Sequence, residues 1–402
     1  MLYNKRIEER QTKCSAFIKK IILLIFIFLC MFSFTSYTMA TGQDEENIIS
    51  SQKETLDISK FISSAKKYTK ESFNNIDYNE LLNSAIKGNI SNKTIWQSIW
   101  NLVGKETISS IKVMLSIVVI IIIHSVLKSV SEGLENKSVS QITYYVQYIL
   151  IVTLIMTNFA EVITMVKDSI NSLVGFSNSL VPLLITLMTT TGNVVSANIV
   201  QPILLFAIGF ISNFIERVVI PITLVSTSLA IVSKVSDKVQ LSRLSKFFKS
   251  SVVWVLGVVL TLFVGLVSLE GTLSSTVDGV TAKTAKAAVS NFIPVVGKIL
   301  GDAVETVIGC TSILKNAVGV VGVVVIIGIC IVPIIKLILL MTTYYIGSAV
   351  CEPIADEKII SLLGQMGDTF KILLAILSSI AVMLIIGTTL VIKISNSSLM
   401  YR

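Results

Sequence analysis

Charge is scarce in this chain. Only 14% of its 402 residues are Asp, Glu, Lys or Arg, against about 25% in soluble domains, which excludes an ordinary cytosolic globular protein. Histidine is scarcer still. His124 is the single one, so a His-cluster metal centre is excluded and at most one Ser/His or Cys/His base remains. The five cysteines (Cys14, Cys30, Cys310, Cys330, Cys351) are odd in number, dispersed, and lack a CxxC pair. That set is neither a disulfide framework nor a zinc knuckle. GxxxxGK[ST] is absent, as is a GxGxxG at a strand–helix junction, so the chain itself is not expected to hydrolyse nucleotides.

What is present is apolar: 53% hydrophobic residues and a mean hydropathy of +0.80. The fold expected is all-α: a signal peptide, a small exported helical segment, and a polytopic membrane domain of about 6 to 8 spans with broken or re-entrant helices. The net charge of +8 is no nucleic-acid footprint in such a chain, because basic residues also fix membrane orientation. Lys5, Arg6, Arg10, Lys13, Lys19 and Lys20 outweigh Glu8 and Glu9 before the apolar run at 21–34, which ends at Thr38-Met39-Ala40. A basic start, a short apolar run and a small-residue end make residues 1–40 a signal peptide, the alternative being a retained anchor helix. Segment 41–105 balances eight basic against eight acidic residues. In it Ile58, Phe61, Ile62, Ala65 and Tyr68 follow a helical spacing, and Trp96 and Trp100 sit one turn apart at an interfacial position. This segment is either a helical hairpin packing on its own protein or a docking surface for an exported partner.

Residues 106–402 form the membrane domain. The first span is expected near 111–127, with His124 at its far end as a packing or interfacial group or, alternatively, a proton relay. The second lies near 142–160, with Tyr144, Tyr145 and Tyr148 at one end. The stretch 179–232 is interrupted by Pro182, Thr189-Thr190-Thr191-Gly192-Asn193, Pro202, Glu216-Arg217 and Pro221. Those interruptions predict pieces of about 10 to 15 residues, too short for clean spans, of the kind that line substrate pathways. Glu216 and Arg217 are read as an interfacial pair or as charges facing a cavity. The run 233–250 carries Lys234, Lys238, Arg243, Lys246 and Lys249 against Asp237 and is assigned to the cytoplasm. A span at 251–269 follows, then an exported amphipathic connection at 270–315. The apolar block 317–350, which contains Pro333 and Lys336, is one long span or two bent at Pro333, two being preferred because they leave Lys393 and Arg402 cytoplasmic. The last span is near 370–392. Gly319, Gly322 and Gly328 are expected to pack within the chain, with an oligomer interface as the alternative.

Residues 283–322 read KTAKAAVSNFIPVVGKILGDAVETVIGCTSILKNAVGVVG. Asp302 and Glu305 lie three apart on one helix face; without a nucleophile, a metal site or a second base, they are assigned to a solvated or partner-facing surface. The stretch resembles the stage III sporulation protein AE family of endospore formers. The resemblance is carried by Lys283-Thr284-Ala285-Lys286, by the Asn291-Phe292-Ile293-Pro294-Val295-Val296-Gly297 turn, by Asp302 and Glu305 before Gly309, and by Leu314-Lys315-Asn316-Ala317-Val318-Gly319. It implies a polytopic protein of the mother-cell membrane around the forespore. It also implies partners: ring-forming proteins, a secretion-type ATPase and a forespore membrane protein, in a channel-like transenvelope complex in which such chains look like the platform or export-gate component. The reading expected from the whole is therefore non-enzymatic, without a cofactor or a nucleic-acid partner, with lipid and possible self-association. A self-contained secondary transporter using Glu216, Arg217 and Lys336 is the alternative.

Overall fold

The computed structural model describes residues 43–56, 58–69, 76–88, scattered positions between 104 and 126, and 137–235, 241–292 and 296–400. Residues 1–40 and His124 lie outside the described residues, as does Pro294. Among the described residues there is no strand. Three short helices come first: α1 (Gln43–Thr55), α2 (Ile58–Tyr68) and α3 (Tyr78–Ile86). The long ones follow: α4 (Lys137–Thr190), α5 (Val194–Phe214), α6 (Ile220–Val235), α7 (Ser242–Phe292), α8 (Val296–Val350) and α9 (Glu357–Met400).

Five helical stretches are long and apolar enough to cross a membrane: Tyr148–Thr190, Val194–Ser233, Ser242–Leu269, Glu305–Val350 and Glu357–Ile394. Four of them run 38 to 46 residues, roughly 57 to 69 Å at 1.5 Å per residue. That is about twice the ~30 Å hydrocarbon thickness, so these helices must extend past the bilayer or tilt within it.

The interruptions read in 179–232 turn out otherwise. Pro182 and Pro202 lie inside α4 and α5, and α5 runs on through a π-helical turn, Ile215–Val219, into α6. Only Thr191–Asn193 breaks the chain, where Gly192 takes φ 86°, a left-handed conformation that favours glycine. The π turn has a local cause. Pro221 has no N–H to give and its ring crowds the preceding turn; the helix widens just before it, and the Ile220 N–H reaches back to Ile215 O. Neighbouring helices make such proline-bearing segments tolerable in a membrane domain.

The block 317–350 is likewise one helix through Pro333, not two spans bent there. One consequence concerns the C-terminus. Ile392 on α9 and Leu184 on α4 meet at Gly319 of α8, close to the Thr191–Asn193 turn. Lys249, at the start of α7, donates from Nζ to Gln365 O at 3.0 Å, near the start of α9. The basic run and the end of α9 therefore occupy opposite ends of the bundle. Lys393 thus lies at the end away from Lys249, although the sequence-based reading put both on the cytoplasmic side.

The core lies between α8, α9 and α4. Leu180, Leu184, Val318, Val321, Leu373 and Leu377 are all fully buried. Phe370 packs against Tyr344, with centroids 5.1 Å apart, and against Phe159 at 6.2 Å. A Cβ at Gly322 would stand 2.7 Å from Leu180. Gly319 and Gly322 thus serve packing within the chain, where small residues let membrane helices approach.

Candidate functional site where the short helices meet the bundle

α2 carries its apolar residues on one face, and the structure buries that face. Ile58, Phe61 and Ala65 are inward. The Phe61 ring meets Phe176 of α4 at 5.9 Å, Ser64 Oγ donates to Ser179 Oγ at 3.3 Å, and Tyr68 lies against Gly175. Lys60, Lys66 and Lys67 remain exposed, with Lys67 Nζ 5.1 Å from the centre of the Tyr68 ring. The end of α2 is tied to α3 by a hydroxyl contact between Thr69 and Tyr78, both buried. Burial pushes the Tyr78 phenol above its usual range, and the bond to Thr69 opposes that shift.

α1 meets α8 about four turns from its start. Gln52 Nε2 donates to Thr311 Oγ1 at 2.8 Å, across 259 residues of sequence. Beyond that point α8 changes character. Glu305, Thr306, Val307 and Gly309 are exposed, whereas Cys310, Thr311, Ser312, Leu314 and Lys315 are buried. Lys315 is 0% exposed, a costly place for an ammonium unless polar groups accompany it. Polar groups are present on its own face of the helix, at Thr311, Ser312 and Asn316. Ser312 Oγ, Asn316 Oδ1 and Gln52 Oε1 are buried and make no hydrogen bond within the protein. The arrangement is a polar seam where α1 meets α8.

The opposite end is knitted by side chains from α6, α7, α8 and α9. Ser226 and Ser245 exchange bonds with each other's carbonyls at 2.8 Å. Thr227 and Thr369 hydroxyls lie 3.2 Å apart, and Tyr345 Oη donates to Asp368 Oδ1 at 2.7 Å.

The residues singled out from sequence do not form one cluster. Glu305 and Gly309 are exposed at the start of α8, with Lys315 buried and Asn316 half-buried one to two turns on. Lys283, Lys286 and Asn291 fall in the last turns of α7, and Gly297 and Asp302 in the first turns of α8, with only their backbone described. Glu216 and Arg217 sit in the π turn, half-buried and exposed respectively, and Lys336 is half-buried on α8. No hydrogen bond or ion pair joins these last three to one another. Sequence reasoning missed Gln52, Thr311 and Ser312. The signal for two of them was available: positions 311, 312, 315 and 316 share one helix face by their spacing.

This end of the molecule gathers exposed lysines on α2, the exposed Glu305 on α8 and a buried polar seam. A family model described as Stage III sporulation protein AE (spore_III_AE) matches residues 76–395. Stage III sporulation protein AE of Bacillus subtilis (strain 168) is 28% identical over 297 residues, 74% of each chain. No solved structure matches the chain.

Proposed function

The chain belongs to the stage III sporulation protein AE family, and from that premise we propose that it is a non-enzymatic membrane platform, resembling an export gate, in a transenvelope channel between mother cell and forespore. In this reading it resides as a multi-pass protein in the mother-cell membrane around the forespore. It is held there with ring-forming proteins, a secretion-type ATPase and a forespore membrane protein, and it is needed for late forespore development. The observation that carries the platform reading is the clamp of α1 and α2 onto α8 and α4, with Gln52 bonded to Thr311 and Phe61 against Phe176. The clamp fixes an exported surface to the helices that run through the bundle, as a scaffold for partners on that side requires.

Four measurements test it. Deleting the gene in its own spore former should arrest development after engulfment; normal spores overturn the proposal. A photo-crosslinking residue at Lys60 or Glu305 should capture other proteins of the same sporulation complex during that stage. Normal assembly and spore yield with α2 rebuilt to neutral residues (Lys60→Gln, Lys66→Gln and Lys67→Gln together) would remove the exported surface from the mechanism. If single alanine substitutions at Glu216, Arg217 and Lys336 abolish sporulation while the complex still assembles, a transport path through this chain replaces the platform.

A further inference from the structure

α7 presents one continuous uncovered face. It begins with Arg243, Lys246 and Phe247, of which Phe247 is 63% exposed, and continues through Val253, Trp254, Leu262, Leu266 and Leu269. Residues 247, 254 and 261 recur at seven, two helical turns, so they stack along one line of the helix. A shallow, open groove of about 410 Å³ lies on this face, lined by α7 alone through Val253, Trp254, Gly257, Val258, Thr261 and Leu262. Its floor is Gly257, around which nothing approaches within 4 Å of where a Cβ would be. The reverse face of the same helix is engaged: Ser245 bonds Ser226 and Lys249 reaches Gln365. α7 is thus fastened on one side and open on the other.

The chemistry of the open side is graded along the helix. Two exposed cations come first, inside a run that is net +4 from 233 to 250. Two exposed aromatics, Phe247 and Trp254, come next, and tryptophan favours the headgroup boundary. The apolar groove follows. Arg243 and Trp254 are eleven residues apart, roughly 16 Å along the axis, so the cations stand beyond the mouth of the groove. Basic groups beside an apolar, lipid-accessible groove are the setting in which anionic headgroups are recognised. The charge favours one occupant. A neutral lipid or a purely apolar helix gains nothing from Arg243 and Lys246, whereas an anionic phospholipid pairs its phosphate with them and lays an acyl chain along the apolar stretch.

We propose that the open face of α7 is a binding site for an anionic phospholipid, its phosphate held by Arg243 and Lys246 and an acyl chain lying in the groove over Gly257 and Thr261.

Trp254 is a built-in reporter. In the full chain carrying Trp96→Phe and Trp100→Phe it is the sole tryptophan. Reconstituted in phosphatidylcholine vesicles with an equal minor fraction of brominated phosphatidylglycerol or brominated phosphatidylcholine, its fluorescence should be quenched at least twofold more by the anionic lipid. The preference should fall to about one in Arg243→Gln/Lys246→Gln, whose positions are exposed and leave the fold intact. Gly257→Leu, placed where no atom opposes it, should also reduce the excess quenching by filling the groove. Equal quenching by both lipids overturns the proposal. Absence of quenching by either overturns it too, since the face is then covered by protein, a second copy included. Loss of the preference on adding millimolar inorganic phosphate would mean a free-phosphate site instead of a lipid one, and persistence of the preference supports the lipid.

Discussion

α8 and α7 are both long, apolar and glycine-bearing, yet Gly319 and Gly322 on the first and Gly257 and Gly265 on the second have opposite meanings. At Gly319 and Gly322 the neighbours Ile392 and Leu180 press where a side chain would be. At Gly257 and Gly265 nothing lies within 4 Å. The same residue type permits close helix approach in one place and opens a groove in the other. What separates them is the neighbours: α8 is wrapped by α4 and α9, while α7 keeps one side to itself. Small residues at close spacing announce that something approaches closely. They do not say whether it belongs to the same chain.

Substitutions sharpen this contrast. Gly319→Leu or Gly322→Leu should overpack the α4–α8–α9 core and cost about 3 kcal/mol, read as a large drop in the thermal unfolding midpoint in detergent. Gly265→Ala on α7 should stay within about 0.5 kcal/mol of wild type; a loss as large as that at Gly322 would show that the open face is in fact packed. Lys315→Ala, at a fully buried position, should cost about 2 kcal/mol or more through the cavity it leaves, and Lys336→Ala, half-buried on the same helix, clearly less. Equal losses at the two would contradict the burial difference between them.

Much of the fold was legible before the structure. Low charge and apolar runs give the all-α membrane class, and the Ile58, Phe61, Ala65 spacing gives α2 with its buried face. The structure also puts the α1–α8 contact and the basic run at opposite ends of the bundle. Proline was the misleading signal. Pro182, Pro202, Pro221 and Pro333 read as breaks, because in water an interior proline costs a helix roughly 3 kcal/mol. Inside a bundle the long flanking segments are held by tertiary packing, and a π turn absorbs the local misfit. The Gln52–Thr311 contact was illegible for a different reason: nothing local in sequence marks a pairing across 259 residues.

The smaller effects concern the junction of the short helices with the bundle. Gln52→Ala removes one bond to Thr311 and should cost about 1 kcal/mol, seen best as faster proteolysis within residues 43–86. Tyr78→Phe should cost about as much or less. It should also change the alkaline limb of stability. The folded-state pKa of Tyr78 is raised, so its contribution is full below the unfolded value of about 10 and is lost as pH climbs through the folded one. Loosening of the α2–α3 corner above about pH 10 should therefore weaken in the Phe variant, and an identical alkaline profile would show that Tyr78 is not the group responsible.

The π turn at Ile215–Val219 has a bearing on how chain length can vary. An i to i+5 turn holds one residue more than an α-helix needs to cover the same path. Removing a single codon between 215 and 219 leaves the buried faces of α5 and α6 where they stand, while removing one elsewhere in either helix turns everything downstream by about 100°. A scan of single-residue deletions from 205 to 230, scored by folded yield, would show one tolerant window. The helix holds its spare residue beside Glu216 and Arg217, so this is where an insertion or deletion reshapes the charged surface without unmaking the bundle.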